Sequence, residues 1–263
     1  MQPERISGDR GALNAIRASR NSLGLSHQVY IDGVKPPTSP SPFLGKMCHA
    51  ALECHYRHRQ LGVTIEAAVL LRRLVESWDP AAADEAVPFE SGAEEDACRL
   101  QAIGLVGAYL AQLPSDEPKP LAIEAALVDP ASGENLGIPL VGIMDLVLPE
   151  RDGPLIADFK TTARGGEPLA IAHEIQLSSY SYLFRHSSQY AESALEIRSL
   201  IKTKTPKIET HRYAARDERH FRRLFAVIRA YLDDLDAGRF VFRPGFGCSM
   251  CDFRDTHCRE WDG

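Results

Sequence analysis

The sequence predicts an α/β fold in which helices flank a mixed central sheet. Apolar residues recur at helical spacing before residue 115 and after residue 215, whereas residues 116–214 contain short apolar runs bounded by turn formers. The order of these segments, helices, strands, helix, strands and helix, favours one sheet with helices packed on its faces. A chain of 263 residues fits a single domain, 1–263, ending in a tail at 215–263 that combines a long helix with cysteines.

Residues 1–115 are predicted to be mostly helical. Residues 1–30 are typical of helix interrupted by Gly and Ser, and the Pro-rich segment 33–42 is a connector in which helix cannot persist. Three helices follow, and Pro80 and Pro114 are expected to stop the second and the third. Their sequences are FLGKMCHAALECHYRHRQLG (43–62), TIEAAVLLRRLVESW (64–78) and EEDACRLQAIGLVGAYLAQL (94–113).

Three apolar runs separated by turn formers predict an antiparallel meander in the middle of the chain. They are PLAIEAALVD (120–129), PLVGIMDLVLPE (139–150) and GPLIADFKTT (153–162). A helix, two more strands and a long helix are expected to follow. These are EPLAIAHEIQLSSYSYLFRHS (167–187), ESALEIRSLIKT (192–203), KIETHRY (207–213) and residues 217–237.

Composition and charge exclude some classes of protein. No apolar run reaches the roughly 20 residues that span a bilayer, and residues 1–20 lack the pattern of a signal peptide, so we expect a cytoplasmic protein. The net charge of −6 argues against a protein that simply coats nucleic acid. Residues 76–96 contain acids and no bases, whereas 198–223 are mostly basic, and either run alone is also typical of a solvated surface.

Two acids on the meander predict a cation site. Side chains alternate across a strand, so Asp158 and Lys160 share one face while Phe159 points into the core. Asp145 lies on the preceding strand and is a plausible cross-strand neighbour of Asp158. Two adjacent carboxylates repel unless a cation lies between them, and Mg²⁺ or Mn²⁺ accepts such oxygen ligands.

Lys160 would then lie beside a metal-bound water or a phosphate. A positive charge there can lower the pKa of the water or stabilise charge that develops in phosphodiester hydrolysis. The alternative is an exposed pair of opposite charges at a strand edge, since Asp-x-Lys by itself is a weak signal. The surrounding motifs decide how specific the pattern is.

The series of motifs resembles the PD-(D/E)XK nucleases of the RecB type, a group that includes the CRISPR-associated spacer-processing nucleases. GIMDLV (142–147), LIADFKTT (155–162) and EIQLSSYSYLF (174–184) match the family's G-x-x-D, D-x-K and Q-x-x-x-Y series. LGKMCHAALE (44–53) is similar to its His-bearing helix, and GCSMCDFRDTHC (247–258) to its cysteine tail. The resemblance spans most of the chain and implies a restriction-endonuclease-like mixed central sheet flanked by helices.

The resemblance also implies the roles of the site residues. Asp145, Asp158 and His49 would be metal ligands, together with the backbone carbonyl of Phe159, and Lys160 would be the catalytic lysine. Without the family pattern, a lone His on a helix is more often a packed residue than a ligand.

Residues around these ligands receive weaker assignments. Gln176 and Tyr180, four residues apart on one helix face, would steer the DNA strand, although they could also be ordinary polar residues of that face. Glu53 lies one turn beyond the candidate ligand of the same helix and could support it. Glu124, a carboxylate within a strand, receives no role.

The tail contains C-x-x-C followed by a third cysteine, a spacing typical of a metal site. In the family, the equivalents of Cys248, Cys251 and Cys258 join one cysteine near the amino terminus to hold a [4Fe-4S] cluster. This sequence departs from that pattern, because residues 19–33 contain no cysteine. A Cys₃His zinc site and an empty site therefore stay open. The candidate fourth ligands are Cys48, Cys54, His27 and His257.

These observations together predict a metal-dependent DNA nuclease, with exonuclease action and a single-strand preference implied by the resemblance. Lys202, Lys204 and Lys207 lie in a predicted loop and could contact phosphates without reading sequence. DNA repair, recombination or phage-related defence would be its setting. The alternative is a catalytically silent nuclease fold that binds DNA or acts as a scaffold, with a structural metal in its tail.

Overall fold

The computed structural model describes residues 38–130, 136–166 and 170–237. Within them, five helices accompany one five-stranded sheet. The helices are α1 (Pro40–Gln60), α2 (Ala67–Asp84), α3 (Gly92–Gln112), α4 (Ala170–Ser188) and α5 (Glu218–Asp236). The strands are β1 (Ala122–Asp129), β2 (Leu140–Leu148), β3 (Leu155–Thr162), β4 (Ala194–Ile201) and β5 (Lys207–Ala214).

The strands follow one another in the sheet in chain order, β1 to β5. β1, β2 and β3 form the predicted antiparallel meander. β4 then pairs parallel to β3, which requires the crossover that α4 provides, and β5 returns antiparallel to β4. The predicted mixed sheet is confirmed.

Helices cover both faces of the sheet. α1, α2 and α3 pack together on one face, where Phe43, Trp78 and Leu105 belong to the larger core. α4 lies on the other face and α5 packs outside it, with Leu183 and Phe225 in a second core. The sheet is therefore the middle layer, and side chains from α1 and from α4 approach it from opposite sides.

Two helix boundaries differ from the prediction. α2 continues through Pro80 to Asp84, so the expected stop at Pro80 is wrong. A proline removes one helix hydrogen bond. Packing holds the helix on both sides of Pro80: Trp78 is buried against Phe43 with ring centroids 4.9 Å apart, and Ala81 and Ala82 pack on the same core. α1 begins at Pro40, inside the predicted connector, since proline fits the first turn of a helix.

Some expectations fall outside the described residues. The helix predicted over residues 1–30 is one of them, and the cysteine tail around Cys248, Cys251 and Cys258 is another. None of the described helices combines the length and the apolar character needed to cross a lipid bilayer.

Candidate active site

Three carboxylates lie in a row across the first three strands. The β1–β2 register places Glu124 opposite Asp145, because the residue pairs on either side are in continuous register. Extending the β2–β3 register by one residue places Asp145 opposite Asp158. We call Glu124, Asp145 and Asp158 the acid row. A ligand atom of Glu124 lies within 4.8 Å of one of Asp145, and the Asp158 carboxylate is near enough to raise the pKa of Asp145, so the row brings three acids together.

The backbone is unusual at the first member of the acid row. Glu124 has a φ of +44°, which a non-glycine residue adopts only at a cost of roughly 1–2 kcal/mol. Side-chain alternation breaks there: Ile123 is buried on the α1–α3 face, whereas Ala125 packs on the α4 face. The partner strand shows the same break, since Leu146 and Met144 face opposite sides. The acid row thus lies where the sheet can be reached from both helical layers.

Asp145 is held in the middle of the row. Its side chain is 4% exposed, and its Oδ2 atom accepts a 2.7 Å hydrogen bond from the backbone N–H of Phe159. His49 Nδ1, from α1, lies 3.6 Å from the same oxygen. Burial raises the pKa of Asp145, and the nearby Asp158 carboxylate raises it further. Such a carboxylate is stabilised in its charged form by a cation.

Asp158 is contacted from α4 and from its own strand. It is 1% exposed, and its Oδ1 atom accepts hydrogen bonds from Gln176 Nε2 at 3.1 Å and Tyr180 Oη at 3.4 Å. Gln176 Nε2 also donates to Tyr180 Oη at 2.8 Å. Lys160 Nζ lies 2.5 Å from the other oxygen, Oδ2, as an ion pair that lacks directed hydrogen-bond geometry. Oδ2 is therefore a buried carboxylate oxygen that could still coordinate a metal ion.

The donor atoms fit a divalent cation. One ligand atom each from His49, Glu124 and Asp145 lie within 4.8 Å of one another. Carboxylate oxygens suit Mg²⁺ and Mn²⁺, and an imidazole nitrogen shifts the preference towards Mn²⁺. A cation between Asp145 and Asp158 would also offset the repulsion between their carboxylates, which adds to burial in raising the pKa of Asp145.

The structure brings most predicted site residues together. His49, Asp145, Asp158, Lys160, Gln176 and Tyr180 all lie at the acid row or in contact with it. Glu53 does not, because its carboxylate accepts a 2.7 Å hydrogen bond from Arg57 on the outer side of α1. Glu124 was not given a role from the sequence. The signal that could have found it is an acid inside an apolar strand, opposite another acid in the meander.

The predicted DNA-contacting lysines divide into two kinds. Lys202 Nζ donates to Ser41 Oγ at 2.5 Å, and burial lowers the pKa of Lys202. Lys204 and Lys207 are exposed. Lys202 and Lys204 follow the carboxyl end of β4, whereas Lys207 is not in the predicted loop but begins β5 opposite Ile201. Since β4 runs parallel to β3, all three lie at the end of the sheet towards which Lys160 is placed.

Among the candidate tail ligands, two lie on α1. Cys48 is 1% exposed, and burial raises its pKa to about 12, which disfavours the thiolate that binds metal. Cys54 is half-buried, with its Sγ atom 3.8 Å from His58 Nδ1. Both are free thiols in the described part of the chain.

The comparison with known families identifies the fold. A model described as the PD-(D/E)XK nuclease superfamily matches residues 24–259. The chain belongs to this superfamily. The family and the fold class predicted from the sequence are therefore confirmed, and the protein is a member of a superfamily of hydrolytic nucleases that use divalent metals.

Two solved structures are similar to the chain. A proposed exonuclease from Eubacterium rectale is 14% identical, with a TM-score of 0.54 over 90% of this chain and 80% of that chain. A second structure, SSO0001, is 15% identical with a TM-score of 0.41, over 88% of this chain and 92% of that chain. The first similarity shows a shared fold, and the second is too low to support an argument. No curated protein matches the sequence.

Proposed function

We propose that this PD-(D/E)XK protein is a metal-dependent DNA nuclease that hydrolyses phosphodiester bonds, with exonuclease action and a preference for single strands. The observation that supports this most is the contact of Lys160 with Asp158, next to Asp145, at a site that His49 also approaches. An exposed strand-edge pair, the alternative for Asp-x-Lys, does not describe an acid that is 1% exposed.

The acid row and His49 would hold Mg²⁺ or Mn²⁺. Asp145 is the central ligand, because it lies between Glu124 and Asp158 and close to His49. The backbone carbonyl of Phe159 is a further proposed ligand. A divalent cation bound there would lower the pKa of a water and neutralise charge on the scissile phosphate.

Lys160 is the proposed catalytic lysine. Its side chain is 27% exposed while its ammonium touches a nearly inaccessible carboxylate, so it can contact the acid row and a substrate phosphate at once. A fixed ammonium at that place stabilises the negative charge that grows on the phosphate oxygens in the transition state. Asp158 keeps the ammonium there before substrate binds.

Gln176 and Tyr180 are proposed to orient Asp158, and Gln176 is also proposed to contact the DNA strand. Tyr180 is buried, so we assign its hydroxyl to the positioning of Asp158. The Gln176 amide donates to both neighbours and is half-buried, which leaves it as the proposed contact for the DNA strand from α4. The two hydrogen bonds to Asp158 restrict the rotation of its carboxylate before the reaction.

Residues 202–207, the loop after β4 with the first residue of β5, which we call the lysine loop, would bind the DNA strand as it leaves the site. Lys204 and Lys207 are the proposed phosphate contacts because they are exposed. Lys202 is proposed to anchor the loop to α1 through its hydrogen bond to Ser41. Contacts of this kind are independent of base sequence and sensitive to salt. This fits a nuclease that degrades a strand without base preference.

Cys248, Cys251 and Cys258 are proposed to bind a structural metal in the tail, either a [4Fe-4S] cluster or Zn²⁺. Three cysteines at this spacing suit both groups. Elemental analysis of the purified protein decides between iron and zinc, and a protein with neither metal contradicts the proposal. DNA repair, recombination or phage-related defence is the proposed setting.

The experiment that tests the proposed function uses DNA labelled at its 5′ or 3′ end, single-stranded or double-stranded, incubated with Mn²⁺ or with a chelator. The wild type should shorten single strands only with the metal, and Lys160→Ala should not. Lys119→Ala, an exposed lysine near the opposite end of the sheet, is the matched control and should retain activity. DNA binding without any metal-dependent cleavage would instead indicate a silent binding protein.

A further inference from the structure

A buried aromatic ring connects the acid row to the core beneath it. Phe159, between Asp158 and Lys160 in β3, turns its ring away from the α4 face. The ring stacks on Tyr56 at a centroid distance of 6.1 Å and meets Tyr109 edge-on at 5.5 Å. These contacts fix the ring from α1 and from α3.

The same ring also reaches the candidate ligands. The His49 ring lies edge-on to Phe159 at a centroid distance of 6.0 Å. The Phe159 backbone N–H holds Asp145 through its 2.7 Å hydrogen bond. One residue therefore contacts two proposed ligands and is joined by peptide bonds to two further site residues. A small rotation of Phe159 would displace all of them.

A buried arginine, Arg198, lies next to Phe159 in the sheet. Arg198 pairs with Phe159 across the parallel β3–β4 ladder and is 9% exposed. Its Nη1 atom donates to three oxygens, which are Tyr109 Oη at 2.7 Å, Glu117 Oε1 at 2.9 Å and Tyr56 Oη at 3.0 Å. The two tyrosine hydroxyls lie 2.6 Å apart. We call Tyr56, Tyr109, Glu117 and Arg198 the buried clamp.

The two tyrosines and the arginine of the buried clamp keep their charge states across the physiological pH range. Burial raises the pKa of Tyr109 to about 12. Burial acts to lower the pKa of Arg198, but its partners, Tyr109 first among them, raise that pKa above its usual value. The guanidinium stays charged and the hydroxyls stay protonated.

Stability alone is a weak explanation for such a group. Moving charges out of water costs several kcal/mol, and well-packed apolar residues often replace a buried ion pair without loss of stability. What apolar side chains do not provide is directed bonds between fixed atoms. Arg198 joins β4 to α1, to α3 and to the segment before β1, all of which adjoin the site.

Helix geometry gives the clamp a direct effect on His49. His49 and Tyr56 are seven residues apart on α1, which places them on nearly the same side of the helix, about 10 Å apart along its axis. Fixing the Tyr56 hydroxyl therefore fixes the rotation of α1 about its axis. That rotation decides how far the His49 imidazole lies from Asp145.

We propose that the buried clamp is a positioning device for the metal site, acting through Phe159 and α1 on Asp145 and His49. The inference rests on the proposed function only in that the site binds a divalent cation. Tyr56, Tyr109 and Arg198 are positioning residues, since none of them belongs to the acid row or contacts the candidate ligand atoms.

The test compares Tyr109→Phe and Phe159→Leu with Ser181→Ala. Tyr109→Phe removes one buried hydroxyl of the clamp, and Ser181→Ala removes one buried hydroxyl that donates to Glu192 at 2.6 Å, away from Phe159. Mn²⁺ affinity is measured by calorimetry, kcat and KM with single-stranded DNA, and Tm by thermal unfolding. Tm should fall in all three variants.

Tyr109→Phe, in the clamp, and Phe159→Leu, in the ring through which the clamp acts, should each bind Mn²⁺ about 10-fold more weakly and lose kcat at subsaturating metal, with KM for DNA unchanged. Ser181→Ala should keep the wild-type metal affinity. Wild-type Mn²⁺ affinity in both Tyr109→Phe and Phe159→Leu, or an equal loss in Ser181→Ala, would overturn the inference. A wild type that binds Mn²⁺ without cleaving DNA refutes the proposed function alone, because the affinity comparison still decides the role of the clamp. A wild type that binds no Mn²⁺ refutes both.

Discussion

The backbone N–H of Phe159 donates to Asp145 Oδ2 at 2.7 Å, so the strand that contains Asp158 and Lys160 also holds the acid of the neighbouring strand. The regular β2–β3 ladder reaches only as far as Leu146 and Ala157. Beyond that pair, the Asp145 side chain satisfies a donor of β3. The geometry of the acid row therefore depends on the local pairing of these two strands.

Glu124 is expected to contribute to metal affinity. Glu124→Gln keeps the size of the side chain and removes its charge, so Mn²⁺ should bind about 10-fold more weakly, as measured by calorimetry. Glu53→Gln is the matched control, since Glu53 is paired with Arg57 away from the row. Equal affinities in Glu124→Gln and the wild type would remove Glu124 from the ligand set.

Asp145→Asn should raise the stability of the metal-free protein at neutral pH. The pKa of Asp145 is raised in the fold by burial and by Asp158, so the charged form costs stability above that pKa. The advantage of the variant should shrink as pH falls through the raised pKa and vanish below about 4, where the carboxyl is protonated in the unfolded chain as well.

Thermal unfolding in the presence of a chelator across this pH range measures the effect, with exposed Asp152→Asn as the control. Saturating Mn²⁺ should stabilise the wild type far more than Asp145→Asn, because only a ligand that binds the folded state raises Tm. A metal-free Asp145→Asn protein less stable than the wild type at pH 7 would contradict this account of the acid row.

Gly142 is required for close packing of β2 against α4. A Cβ at this position would lie 2.7 Å from Leu183 Cδ1 and 3.5 Å from the Tyr180 ring. Gly142→Ala should therefore cost about 1–2 kcal/mol of unfolding free energy, measured by urea denaturation. It should also reduce kcat, because Tyr180 donates to Asp158. Gly92→Ala, in the first turn of α3 where a Cβ meets no atom within 4 Å, should leave kcat unchanged and should not lower the unfolding free energy.

The lysine loop should set the salt dependence of DNA affinity. For single strands, each lost phosphate contact reduces the slope of log affinity against log salt by about 0.7. Lys204→Gln and Lys207→Gln should each produce such a change, measured in a chelator with Lys160→Ala as the background so that DNA is not cleaved. Lys202→Gln should change the slope less, because its ammonium is already bonded to Ser41. Unchanged slopes in all three would place the strand elsewhere.

Much of the fold could be predicted because the sequence marks it locally. The turns between the apolar runs define the meander of β1, β2 and β3, and the meander brings Asp145 and Asp158 together. Helical spacing on α4 explains why Gln176 and Tyr180 both reach Asp158.

The remaining features depend on the assembled structure. Strand alternation could not place Glu124, because its positive φ breaks the alternation on which such reasoning depends. Pro80 continues a helix because packing of Trp78 outweighs one lost hydrogen bond. Arg198, in a run interpreted as basic surface, is instead buried by three elements that are distant in sequence.

The measurement that tests the central claim most directly is Mn²⁺-dependent hydrolysis of end-labelled single-stranded DNA by the wild type and by Asp158→Asn. The account predicts that the wild type releases short labelled products only when Mn²⁺ is present, and that Asp158→Asn is at least about 100-fold slower. The variant should remain folded, with a cooperative thermal unfolding transition in the absence of metal. Wild-type rates in a folded Asp158→Asn protein would contradict the assignment of the acid row as the hydrolytic centre.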